Sequence, residues 1–145
     1  VRLRRERRRA IIGVRAAEGP HAMTSTEAEA FAARWAQAWN SRDIEAVLEH
    51  FHEDVAFTSP TAVRVVGIPT VSGKPALRDY WQQALTPLAS LHFTVDRVVW
   101  DAARRELAII YTARIDGTAR RVSENLRFND ADQVIGAEVF HGVTA

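Results

Sequence analysis

Cysteine is absent from all 145 residues. Disulfide frameworks, thiolate nucleophiles and cysteine-based zinc sites are thereby excluded, and a chain of this kind suits a reducing cytosol, so a cytoplasmic location is expected. No apolar run approaches the roughly 20 residues of a membrane span, and no membrane partner is expected. The glycine-rich phosphate loop, the Gly-x-Ser-x-Gly nucleophile turn and the dinucleotide fingerprint are also missing. No cofactor is implied. Basic charge is lacking where nucleic acid would need it: residues 1–22 hold seven arginines against Glu6 and Glu18, a net of +5 in a chain of net +1, which leaves residues 23–145 at −4. A folded nucleic-acid binder wants a basic face, so nucleic acid is not an expected partner.

What is there has the size of one domain with one hydrophobic core. The chain opens on Val1, its single methionine, Met23, stands just before a helix start, and the intervening stretch has too short an apolar run for a secretory signal. Residues 1–22 are therefore expected to be a disordered or loosely helical Arg-rich extension, a product of start-site choice, ahead of a domain over 23–145.

From Thr24 the signals are dense. Thr24-Ser25-Thr26-Glu27 offers a capping box. Ala28, Phe31, Ala32, Trp35, Ala38 and Trp39 then recur at spacings of three and four, which predicts a helix of about four turns with one buried stripe. A shorter helix follows, with Ile44, Val47, Leu48 and Phe51 inward and His50, His52, Glu53 and Asp54 at its end. Val55 to Ser59 reads as a strand stopped by Pro60. Thr61 to Ser72 reads as the longest loop of the body, a rim or lid. Pro75 suits the first turn of a third helix carrying Leu77, Tyr80, Trp81, Ala84 and Leu85. Four β runs close the chain: Leu91 to Trp100, Arg105 to Ile115, Thr118 to Phe128 and Val134 to His141. Asp116-Gly117 is a strong hairpin signal, and the short turns predict antiparallel neighbours. The sum is α+β, helices covering one face of a curled sheet.

One strand holds an anomaly. In Arg121-Val122-Ser123-Glu124-Asn125-Leu126-Arg127-Phe128, period two puts Val122, Leu126 and Phe128 on the apolar face, and Glu124 with them. An ionised carboxylate there costs several kcal/mol, roughly, unless it is paired or takes a proton. Glu124 is thus either a working acid or a satisfied structural one.

Trp35-Ala-Gln-Ala-Trp39-Asn40-Ser-Arg-Asp43-Ile-Glu-Ala-Val-Leu48, then Phe51-His-Glu-Asp54-Val-Ala-Phe57-Thr-Ser-Pro60, then Ser72-Gly73-Lys74-Pro-Ala-Leu77, resembles the SnoaL-like branch of the nuclear transport factor 2 superfamily. The resemblance spans about residues 26–142. It implies a cone-shaped α+β fold, in which a strongly curved, mostly antiparallel sheet wraps a long helix, with two shorter helices and a pocket at the open end. It also implies homodimers formed through the outer face of the sheet, and a small hydrophobic molecule as partner.

The same resemblance implies site residues. Of the ketosteroid isomerase set of an Asp base, a Tyr and a protonated acid, the Tyr falls at Trp35, the base at Ser59 and the acid at Glu124. Only Glu124 keeps its chemistry, so ketosteroid isomerase activity is not expected. The Asp-Arg-Asp set of epoxide hydrolases is lacking as well, because Arg114 and Arg127 fall on outward faces and no second inward carboxylate pairs with Glu124. Polyketide cyclase-like members need only one acid/base in a dry aromatic pocket. The expectation is a cofactor-free isomerase, cyclase or hydrolase using Glu124, or a non-catalytic ligand-binding or dimerisation domain. Trp35, Trp39, Phe57, Ser59, Tyr80 or Trp81, Tyr111 and His141 would line the cavity, though aromatics at helical spacing also serve as core and Ser59 suits a cap before Pro60. His50, His52, Glu53 and Asp54 have metal-binding atoms but read as solvated helix-end residues, so no metal is expected.

Overall fold

The computed structural model describes residues 23–144, and the extension expected over residues 1–22 lies outside them. Helix α1 (Ser25–Asn40) starts at the capping box: the Thr24 hydroxyl accepts from Glu27 N at 3.1 Å while Glu27 Oε1 accepts from Thr24 N at 3.4 Å. Its stripe of Ala28, Phe31, Ala32, Trp35, Ala36 and Trp39 is buried. Asp43 caps the short helix α2 (Ile44–Leu48), accepting from Ala46 N at 3.0 Å.

Strand β1 (Phe51–Thr58) begins earlier than the sequence suggests. Phe51, His52, Glu53 and Asp54 are not the end of a helix. Phe51 is buried and pairs with Val134, whose N–H also donates to His50 O at 2.8 Å, so the backbone is claimed by the sheet before α2 can lengthen.

The expected loop of residues 61–72 is instead helix α3 (Pro60–Val66) followed by strand β2 (Thr70–Ser72). Three β-branched valines weaken helix propensity there, which hides α3 in the sequence. Local chemistry and packing override it: Ser59 caps the first turn, Pro60 suits its start, Gly67 ends the helix at φ +81°, and Ala62 is fully buried.

Helix α4 (Lys74–Leu85) buries Leu77, Tyr80, Trp81 and Leu85. Strands β3 (Leu91–Asp101), β4 (Glu106–Ile115), β5 (Thr118–Phe128) and β6 (Val134–Thr144) then form an antiparallel meander. The six strands make one curved, open sheet in the order β2-β1-β6-β5-β4-β3. Most pairs are antiparallel, as expected, but β1 lies parallel to β6. That pairing joins the first strand to the last, so no turn between them announces its direction.

Two contacts fix how helices and sheet meet. Asp116 and Gly117 take φ of +50° and +83°, the two-residue hairpin turn, and the Asp116 carboxylate accepts from Ala89 N at 2.8 Å and Ser90 N at 2.9 Å. Asn40, the last residue of α1, treats the edge strand β3 as a partner: its Oδ1 accepts from Phe93 N at 2.6 Å and its Nδ2 donates to Phe93 O at 3.0 Å. The aromatic stripe of α1 therefore lies across the inner face of the sheet, with Trp35 stacked on Phe93 at 5.6 Å between centroids and Phe31 edge-on to Phe128 at 5.3 Å.

Candidate functional site

A cavity of about 440 Å³ opens between the sheet and helices α3 and α4. Its apolar wall is aromatic. Trp81 stands at the centre, edge-on to Trp39 at 4.8 Å, to Phe57 at 5.4 Å and to Phe51 at 5.5 Å. Phe93 and Tyr111 close the far side with their centroids 4.8 Å apart.

Period two along β5 delivers the polar groups. Arg120, Val122 and Glu124 are all on the cavity side, and from β6 His141 joins them. Val122 pairs with His141, and a bulge then puts Thr144 opposite Arg120. Ser59 and Glu124 are the buried polar residues among those described.

Burial dominates the electrostatics. Glu124, 6% exposed, has its carboxyl pushed up to about 8 by burial. The indole N–H of Trp35 is near enough to oppose that shift, yet it falls outside hydrogen-bond geometry and Trp35 Nε1 stays buried without an acceptor. The contact is therefore weak, and the acid is neutral at pH 7, a donor as well as an acceptor. Burial also raises Tyr80, with the nearby Ser59 hydroxyl opposing and the Glu124 charge adding to the rise. Tyr111 is raised well above 10 by burial, then by Glu124 and Tyr80. His141 is lowered by burial first, then by Arg120 and Arg64. Arg120 Nη1 lies 2.9 Å from His141 Nδ1. With the guanidinium donating, Nδ1 accepts and the neutral ring carries its proton on Nε2.

Of the residues singled out from sequence, Trp39, Phe57, Ser59, Tyr80, Trp81, Tyr111, Glu124 and His141 all border this cavity. Trp35 does not; it lies behind the wall, edge-on to Tyr111 at 5.0 Å. Ser59 lines the cavity and caps α3 at once, its Oγ accepting from Thr61 N at 3.2 Å. Arg114 and Arg127 are exposed, as expected, but two arginines that do reach the cavity were missed. Arg120 was legible, four residues before Glu124 and so on the same face. Arg64 was hidden in the unrecognised helix α3. His50, lowered by burial, packs on Phe31 at 5.3 Å. His52 Nδ1 accepts from Asp54 N at 3.0 Å and Glu53 lies 3.9 Å from Lys74, and among the described residues no group of three or more His, Cys, Asp or Glu could hold a metal ion.

The sequence pattern of the SnoaL-like domain matches residues 32–139, most of the chain. The chain belongs to the SnoaL-like domain family. Among curated proteins none matches significantly. A SnoaL-like protein of Burkholderia thailandensis is similar at 26% identity and a TM-score of 0.76, over 85% of this chain and 100% of that one. An epoxide hydrolase/cyclase-like enzyme of pyran ring formation in the polyether salinomycin superposes at 0.66 with 16% identity, over 83% of this chain and 95% of that one. A computationally designed 17-OHP binder superposes at 0.63 with 17% identity, over 81% and 96%. At those lower identities the likeness is one of fold: this SnoaL-like chain has the nuclear transport factor 2-like cone. Among the described residues no helix is long and apolar enough to cross a membrane.

Proposed function

We propose that this SnoaL-like domain binds a small hydrophobic, carbonyl- or ether-bearing molecule in the aromatic cavity and acts on it without a cofactor, Glu124 being the general acid. The observation that supports this most is a single carboxyl among the described lining residues, Glu124, buried beside an aromatic wall and pushed up to about 8 by that burial. A neutral acid in a dry site can donate to an oxygen as negative charge develops there, and its ordinary contribution is a rate factor of about 10²–10⁴. Tyr111, whose hydroxyl also stays protonated, is a second donor. His141, neutral with its proton on Nε2 and its Nδ1 lone pair committed to Arg120, is a further hydrogen-bond donor rather than a proton carrier. No base stands at Ser59, because a serine hydroxyl with no base beside it cannot take a carbon-bound proton at a useful rate; its Oγ serves to cap α3. This is why the reading stops short of ketosteroid isomerisation.

The test follows solvent deuterium entering a panel of hydrophobic ketones by NMR, a step in which Glu124 protonates the carbonyl oxygen while solvent water or buffer takes the α-proton. Exchange should fall by about 10²-fold in Glu124→Gln, and in the parent it should decline as pH rises through about 8, since the active form is the acid. Equal exchange by parent and variant would sink the catalytic role. One observation favours a second reading, a non-catalytic binding domain: the lining carries no second carboxyl to work with Glu124. Under it Glu124→Gln keeps ligand affinity and there is no turnover to lose.

The outer face of the sheet exposes Val99, Phe140 and Val143, and a second copy of the chain is proposed to cover it. Sedimentation equilibrium should then give a dimer that Phe140→Glu dissociates; a monomeric parent rules it out.

A further inference from the structure

The mouth of the cavity carries charge of one sign that no carboxylate among the described residues answers. Arg64 from α3 and Arg120 from β5 both border it, and both act on His141 strongly enough to disfavour its protonation, so the three form one cluster. Several arginines elsewhere do meet a carboxylate: Arg78 pairs with Glu45 at 2.6 Å, Arg97 with Asp96 at 2.7 Å, Arg121 with Asp96 at 2.9 Å, Arg104 with Asp101 at 2.9 Å, and Arg105 with Asp132, while Arg34, Arg42, Arg114 and Arg127 do not line the cavity. Among the described residues Arg64 and Arg120 have no carboxylate within ion-pair distance. Their protein contacts are neutral: Arg64 donates to Thr61 Oγ1 at 3.3 Å and Arg120 to His141 Nδ1. Glu124, the one carboxyl of the lining, does not neutralise them, because it is protonated at neutral pH.

Resting on the reading that this cavity holds a small molecule, we infer that its ligand is an amphipathic carboxylate, with the apolar body against the aromatic wall and the carboxylate at the mouth between Arg64 and Arg120. Two guanidiniums gathered at one opening repel each other unless an anion lies between them. Their planar forks match a two-oxygen anion, and Arg120, with Nη1 committed to His141, has its other N–H groups left for it. A phosphate would offer the same forks an equal match, so its ester is the competitor that the carboxylate must outbind. The arrangement also sets orientation: with the anion held at the mouth, the uncharged part of the ligand is directed inward, toward Glu124 and Tyr111.

Titration calorimetry at pH 7 on the full chain tests this with 4-phenylbutanoate, its neutral isostere 4-phenylbutanamide, and 4-phenylbutyl phosphate. The carboxylate should bind about tenfold tighter than the amide, and Arg64→Gln and Arg120→Gln should each cut that preference to about threefold or less. Arg104→Gln, on the far surface, should keep the whole preference. Equal binding of carboxylate and amide, or a preference that survives in the double variant, overturns the inference and leaves the cavity's ligand-binding role standing. Tighter binding of the phosphate overturns the choice of carboxylate. No binding of any of the three overturns both this inference and the proposed function.

Discussion

Glu124→Gln is expected to leave stability near pH 4 almost unchanged and to raise it at pH 9 by about 5 kcal/mol. The sign follows from proton counts. The Glu124 carboxyl sits at about 8 in the folded protein against an ordinary 4.5, so between those values the native state keeps a proton that the unfolded chain has released. Parental stability must then fall as pH rises through that window, by about 1.4 kcal/mol per unit, and level off above about pH 8. Glutamine has the same shape and cannot ionise, so it removes this slope while other titrating groups act equally on both proteins. Urea titrations of parent and variant from pH 5 to pH 9 measure the difference directly. Two parallel curves would mean that Glu124 is charged when folded, and the acid role would go with them.

Trp81→Ala should destabilise the fold by about 3–5 kcal/mol, the cost of removing a large aromatic from a packed interior. Trp81 is 4% exposed and meets three other aromatic rings, from α1 and from both ends of β1. Because those rings are themselves fixed by helix and sheet, they cannot collapse into the gap. Trp81→Phe, which keeps a ring in place, should cost much less. Denaturant midpoints decide the matter, and a loss below about 1 kcal/mol for the alanine variant would show that the wall repacks freely. If the variant folds, its cavity is larger where the apolar ligand body would lie, so bulkier ligands should gain affinity relative to small ones.

Helix α1 and the β3–β6 meander were legible because each carries a long periodic pattern bounded by its own punctuation: the Thr24 box at one end, Asp116-Gly117 between β4 and β5. Glu124 was legible for the same reason, as a charged residue in phase with Val122 and Leu126. What escaped was set at long range. The parallel partnership of β1 with β6 depends on the docking of everything between them. Helix α3 holds because Ala62 is buried, whereas its valines argue for a strand. With α3 unseen, Arg64 could not be placed at the cavity. Trp35 shows the limit of aligning roles along a helix: it is on the right face, but Tyr111 and Phe93 stand between it and the open space.

The amide of Asn40 decides the phase of β3. By matching both backbone groups of Phe93, it fixes which residue of that strand meets the end of α1. A slip of one position would bring His92 or Thr94 to the amide, turn Phe93 out to water and expose the cavity to solvent along that side. The same two bonds occupy backbone groups on the free edge of the sheet, the groups through which a foreign strand would otherwise add itself. One side chain thus supports the wall of the cavity and closes one position of the β3 edge to a foreign strand.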